Sequence, residues 1–174
     1  FGNDLNLGAN GPYQTTRHYM NCVDFSTHQV RSLLSITDSA EIAHIRELDA
    51  PFDRLYCDAN PKTGLLAVSW AINPDVWIID ASSDTEIAHY TTKPQHYKDV
   101  PPRVLYGQDW ERWYTAFTYT NVPFWLNDTI IALGRSVSYQ SDPTHIDIYH
   151  VTRGLIESIR ADKQYIFADN DTLY

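Results

Sequence analysis

Between Asp53 and Tyr90 the chain reads DRLYCDANPKTGLLAVSWAINPDVWIIDASSDTEIAHY, short apolar-rich runs cut at regular intervals by turn-forming residues. The pattern predicts four strands, at 54–58, 65–71, 76–80 and 86–90, joined by turns at 60–64, 73–75 and 82–84. In the second run Leu65, Ala67, Ser69 and Ala71 alternate with Leu66, Val68 and Trp70, and both sets are largely apolar. Val76, Trp77, Ile78 and Ile79 repeat this. A strand apolar on both faces is covered on both, and in an antiparallel order that means sheets stacked on sheets. Leu66, Val68, Trp77, Ile79, Ile131 and Ile148 are the expected core between them.

The remaining segments read as imperfect copies of this unit. Residues 1–11 are turn-rich. Residues 17–25 and 30–35 predict a hairpin around 26–29. One helix candidate spans 37–48, where Asp38 and Glu41 resemble a capping box and Ile42, Ile45 and Leu48 lie three apart, although 44–48 also reads as strand. Pro94, Pro101 and Pro102 break a connection over 92–107. Trp110, Trp113, Tyr114 and Phe117 fit helical spacing. Trp113, Thr115, Phe117 and Tyr119 also fit strand alternation, and β-branched Thr115, Thr118 and Thr120 favour strand for that second half. A hairpin follows at 124–126 and 129–133, then a long polar loop at 134–144, then strands at 145–150 and 155–159 flanking a turn at 152–154. Residues 165–167 and 172–174 close the chain.

Two kinds of repetition run through these segments. Asn127-Asp128-Thr129-Ile130 returns as Asn170-Asp171-Thr172-Leu173, an offset of 170 − 127 = 43. Strand–turn–strand stretches recur at 22, 78 and 148. A period in the forties with about four strands per unit is that of a propeller blade. The expected fold class is therefore all-β: antiparallel four-stranded blades of a β-propeller in a single domain over 1–174. The expected blades cover 13–36, 52–90 and 113–160, with a partial one at 161–174, and form an incomplete ring.

LYCDANPKTGLLAVSW, VWIIDASSDTEI, FWLNDTIIALG and IDIYHVTRGLIESI carry a resemblance to the six-bladed, TolB-like β-propellers of bacterial cell-envelope proteins. It covers most of 13–174. It implies an exported periplasmic or cell-surface binding protein, with no assigned catalytic residues. The chain departs from the family in holding about three and a half blades, too few to close a ring. Phe167–Leu173 parallels Phe124–Ile130 and then stops inside a strand. The first residue is Phe, and the one methionine is Met20. The expectation is a piece of a longer propeller, with a terminal hairpin on 17–25 as the alternative.

Composition narrows the partners. Twelve Tyr, five Trp and six Phe are a heavy aromatic load that favours strands. A formal net charge of −9 with scattered Lys and Arg repels phosphate backbones and argues against nucleic acid. No apolar run approaches the length of a membrane span. Cys22 and Cys57, 35 apart, read as small buried residues, with a disulfide as the alternative in an exported protein.

Candidate chemistry is sparse. Asn-Asp-Thr at 127 and 170 matches the N-glycosylation pattern, but the same blade position makes both read as turns. The seven histidines show no convergent metal spacing; His145 and His150 would face opposite sides of a strand, and His89 and His96 straddle a strand end and a loop. Asp75, Asp109, Glu111 and Asp142 offer no marked carboxylate pair. A nucleophile elbow, a dinucleotide fingerprint and a P-loop are absent. No metal and no cofactor is called for. The run YGQDWERWYTAFTY can present aromatics to a sugar or a protein, with Trp113, Phe117 and Tyr119 reading rather as core.

In a propeller, the loops after the second strand and between blades gather on one face. The expected ligand-binding residues there are Asn73, Asp75, Arg103, Asp109, Trp110, Arg112, Arg135, Tyr139 and Asp142, with no catalytic residue among them. The expected function is non-enzymatic: binding a protein or carbohydrate ligand on the loop face, with the remaining blades or a second chain as neighbours. One alternative is a propeller hydrolase or lyase acting on an extracellular carbohydrate or peptide; another is a β-sandwich module with no axis, in which two sheets stack rather than radiate.

Overall fold

The structure, a computed structural model, describes residues 17–36, 55–137, 141–161, 168–169 and 172–173. Strands β1 (Arg17–Asp24) and β2 (Gln29–Ile36) form an antiparallel hairpin. Strands β3 (Leu55–Ala59), β4 (Leu65–Trp70), β5 (Val76–Asp80) and β6 (Thr85–Tyr90) form an antiparallel sheet in chain order. A connection follows, holding a 3-10 turn (Arg103–Tyr106) and a short helix α1 (Trp110–Tyr114). Strands β7 (Tyr119–Trp125), β8 (Ile130–Ser136), β9 (Pro143–His150) and β10 (Gly154–Arg160) repeat the antiparallel, chain-order sheet. A two-residue pairing of β11 (Ala168–Asp169) with β12 (Thr172–Leu173) follows. The protein is all-β, and among the described residues no helix is long and apolar enough to cross a membrane. The expectations for 1–11, for a helix at 37–48 and for a strand at 165–167 lie outside the described residues.

The turns form because Asn and Asp side chains bond the backbone just ahead of them. Asn60 Oδ1 accepts from the amides of Lys62 and Thr63, and Gly64 closes that turn at φ +73. Asn73 Oδ1 accepts from Asp75 N at 2.6 Å. Asp80 Oδ1 accepts from Ser82 N at 2.8 Å. Asn127 Oδ1 accepts from the amides of Thr129 and Ile130, the geometry of the turn reading of Asn-Asp-Thr.

The two four-stranded sheets pack face to face. Ala67, Val76 and Ile78 of the first meet Ile131, Leu133 and Tyr149 of the second, with Trp125 and Val151 in the same cluster. Tyr56 meets Tyr119 through their hydroxyls at 3.0 Å, and Asp58 accepts from Trp125, so β3 and β7 run in the same direction. At one end Asn60 Nδ2 donates to Asn127 O at 3.4 Å, joining the equivalent turns of the two sheets. At the other, Ala71 O accepts from Thr120 N at 2.8 Å. Pro123 sits in β7, an edge strand, where its missing N–H breaks no ladder bond.

Several expectations shift. Val68, Trp77 and Ile79 are buried, but against Val100, Trp113, Phe117 and Tyr119 of the connection and the start of β7 rather than in the sheet-to-sheet cluster. The connection folds back over that face because Trp113 and Phe117 are apolar side chains that bury completely there. Leu66 and Ile148 are only partly buried. Residues 115–118 are not strand: the Thr115 hydroxyl bonds the carbonyls of Glu111 and Arg112 and ends α1. The polar loop expected at 134–144 is shorter, because β8 continues through Gly134, Arg135 and Ser136 and β9 begins at Pro143. Cys57 is a free thiol, raised by burial and then by Asp58.

Candidate functional site

Arg135 was expected on a loop, yet it lies within β8 and is 0 % exposed. A strand position can hold a buried guanidinium only if its charge and all its N–H groups are met. Here they are. Nε donates to Asp147 Oδ2 at 2.9 Å, and Asp147 is itself 0 % exposed. Nη1 donates to Thr120 Oγ1 and to Asn73 O, and Nη2 to Pro74 O at 2.8 Å and to the Tyr149 hydroxyl at 3.2 Å. The Tyr97 ring lies 5.4 Å below the guanidinium carbon. Asp147 Oδ1 accepts from Ser158 Oγ at 2.5 Å.

This pair draws six elements together: the 73–75 turn, the connection, and strands β7, β8, β9 and β10. Cross-strand pairing sets Arg135 beside His145 and Leu133 beside Asp147, so the sheet interface turns from apolar at Ile131 and Leu133 to polar at its end. His96, from the connection, stacks on His145 with ring centroids 3.8 Å apart and planes 6° from parallel. Burial holds His96 below the ordinary histidine range, with His145 and Arg135 acting the same way and Asp147 opposing them. Burial likewise pushes the Tyr97 and Tyr149 hydroxyls up, so both stay neutral beside the guanidinium.

Asp75 faces a second partner. Its Oδ2 lies 2.9 Å from His89 Nε2, and the imidazole stacks on Trp77 with centroids 4.7 Å apart. Burial raises the Asp75 carboxyl, outweighing the opposing influence of His89, Arg135 and Asn73. Asn73, Asp75 and Arg135 are thus brought to one place, although Asn73 and Pro74 take part through their carbonyls.

Asp109, Trp110 and Arg112 gather on α1. Asp109 Oδ1 accepts from Arg112 N and caps the helix. Arg112 lies over the Tyr106 ring at 5.8 Å. Trp110 packs edge-on to Trp113 at 6.0 Å and beside Tyr114, half-buried. Asp142 is exposed, Arg103 opens the 3-10 turn, and Tyr139 lies outside the described residues. Nothing in the local sequence marks His96, His145, Asp147 and Tyr97 as site residues. The only sequence signal for Asp147 was a carboxylate inside an otherwise apolar strand, IDIYH. Among the described residues no group of three His, Cys, Asp or Glu side chains is placed to hold a metal ion.

Comparison with protein-family models, with curated proteins and with solved structures gave no match to this chain.

Proposed function

We propose that each four-stranded sheet is a blade of a β-propeller. In this reading it works as a non-enzymatic binding module of the bacterial cell envelope, exported to the periplasm or cell surface. It takes a protein or carbohydrate ligand on the end carrying the 73–75 turn and the connection. The observation that supports this is the packing of one sheet on the next, with β3 and β7 running in the same direction and equivalent turns meeting at Asn60 and Asn127. A propeller is built by that repetition. The charged groups beneath this end favour binding over turnover. Arg135 and Asp147 are saturated by each other and by their neighbours and hold the end rigid. A rigid platform lowers the ordering cost of binding. Half-buried Trp110 and exposed Arg112, both on α1, are an aromatic and a cationic group that such a face would offer to a sugar ring or a peptide.

Calorimetric titration with peptidoglycan-derived oligosaccharides and with a peptide library tests the reading. Saturable binding that weakens in Trp110→Ala and Arg112→Ala, with the ligand recovered unchanged, is the expected result. Release of a product that stops in Asp109→Asn or Asp142→Asn, with folding intact, would establish a hydrolase or lyase instead. Absence of binding to either class would sink the proposal.

A further inference from the structure

We propose that the stacked His96–His145 pair is an acid-sensitive latch, holding the connection against the second sheet when neutral and releasing it when charged. Positive charge on both rings at this separation would repel. Ring centroids at 3.8 Å in near-parallel planes allow close contact only while charge is absent or shared. His96 Nε2 is buried and makes no hydrogen bond. Its nearest carboxylate oxygen, Asp147 Oδ1, is 3.7 Å away, too far for a hydrogen bond, and is already taken by Ser158.

The charges facing the latch come from every element packed around it. Arg135 on β8 pairs in register with His145, and so does Arg160 on β10. Asp147 on β9 is engaged by Arg135, and Asp75 on the 73–75 turn by His89. On the connection itself Lys93 donates to Asp99 at 2.7 Å, so those two charges offset each other. Tyr97 and Tyr149 stay neutral, as burial raises both. A proton taken from solvent at His96 therefore meets Arg135 and a second imidazole. Both nearby carboxylates already have cationic or hydrogen-bonding partners.

The latch closes over something specific. Tyr97, next in sequence, forms the floor under Arg135. The connection is fastened beside it by Lys98 O accepting from Thr118 N at 3.0 Å and by Lys98 N donating to Thr118 Oγ1 at 2.9 Å. Release would bare the Arg135–Asp147 pair to water. The sign follows from linkage. Burial lowers the His96 affinity for a proton in the latched state, so the released state binds protons more tightly. The latch is therefore at full strength above the ordinary histidine value of about 6.5, and weakens as pH falls below it. It operates whether or not this end binds a ligand.

Hydrogen exchange of the whole chain, corrected for intrinsic rates, tests this between about pH 7.5 and about pH 5. Protection of the Tyr97, Lys98 and Thr118 amides should fall by up to about ten-fold for each unit separating the two histidine affinities, while Ala67 and Ile78 hold. His96→Phe keeps a stacked ring without the titration, and should abolish the fall; His89→Gln should keep it. Where His96→Phe does not fold, His96→Gln, which also removes the titrating ring, takes its place under the same criterion. Imidazole titrations of the unaltered protein by NMR add a reading that needs no variant: His96 must titrate below the ordinary histidine range. Protection that stays flat with pH, a fall shared equally by His96→Phe, or an ordinary His96 titration would each overturn the latch.

Discussion

Trp125 donates twice to Asp58 across the two sheets, its indole Nε1 to the Asp58 carbonyl at 3.0 Å and its backbone N–H to Asp58 Oδ2 at 3.1 Å. One residue of β7 thereby ties both the main chain and the side chain of β3. Trp125→Phe should cost about 1–3 kcal/mol, because a partly buried carbonyl loses its donor. Asp58→Ala should cost a similar amount by orphaning the Trp125 amide. The double variant should cost less than the sum, since both singles break one junction. Urea unfolding of the three variants checks this.

Gly154 begins β10 at φ +77, with the Tyr90 ring directly behind it. A Cβ there would lie 2.9 Å from Tyr90 Cδ1. The Tyr90 ring is also pinned by its hydroxyl, which donates to Val151 O at 2.7 Å. Gly154→Ala should therefore cost more than the roughly 1–2 kcal/mol of left-handed strain alone. Gly64→Ala is the comparison: φ is +73 but nothing lies within 4 Å, so strain alone applies. Thermal melts should rank the two in that order, and adding Tyr90→Ala should narrow the gap.

Removing one member of the Arg135–Asp147 pair leaves a buried, uncompensated charge. Arg135→Met or Asp147→Leu alone should destabilise by about 3–5 kcal/mol. The double variant should recover much of that, because no charge is left stranded. Equal losses for the double and for the sum of the singles, in denaturant unfolding, would show the two residues act separately.

Ile131 is fully buried between the sheets, whereas Leu66 is only partly covered. Ile131→Ala should cost about 2–5 kcal/mol by the lost transfer energy and the cavity left behind. Leu66→Ala should cost clearly less. The reverse order in melts would contradict the packing described.

Asp75 binds its proton more tightly in the folded chain than in the unfolded one, chiefly through burial. Its favourable contribution is present below the unfolded carboxylate value of about 3.9 and is lost as pH rises through the folded one. The stability of the parent chain relative to Asp75→Asn should therefore decrease with rising pH across the carboxylate range. Paired denaturation curves at stepped pH measure this, and a rising difference would mean that His89 pairing outweighs burial.

The local chemistry of the chain by itself determined the all-β class and the run of strands at 55–90. Alternation between faces and Asn or Asp turns act over a few residues, and Asn60, Asn73, Asp80 and Asn127 each bond the amides just ahead of them whatever lies further off. Even the aromatic core positions Trp113, Phe117 and Tyr119 were legible as apolar bulk. Where the partners lie far apart in the chain, that legibility ended. GRS looked like loop because a glycine, an arginine and a serine are polar breaks by composition, yet β8 runs through them. Only the arrival of Asp147, Thr120, Tyr149 and the Asn73 and Pro74 carbonyls makes burial of Arg135 affordable. The stacking of His96 on His145 likewise has no local cause: the connection must first fold back onto the sheets, driven by burial of Trp113 and Phe117 on the first. Tertiary packing decided which polar residues face water and which meet each other, because a buried charge is tolerated only where distant groups complete its bonds.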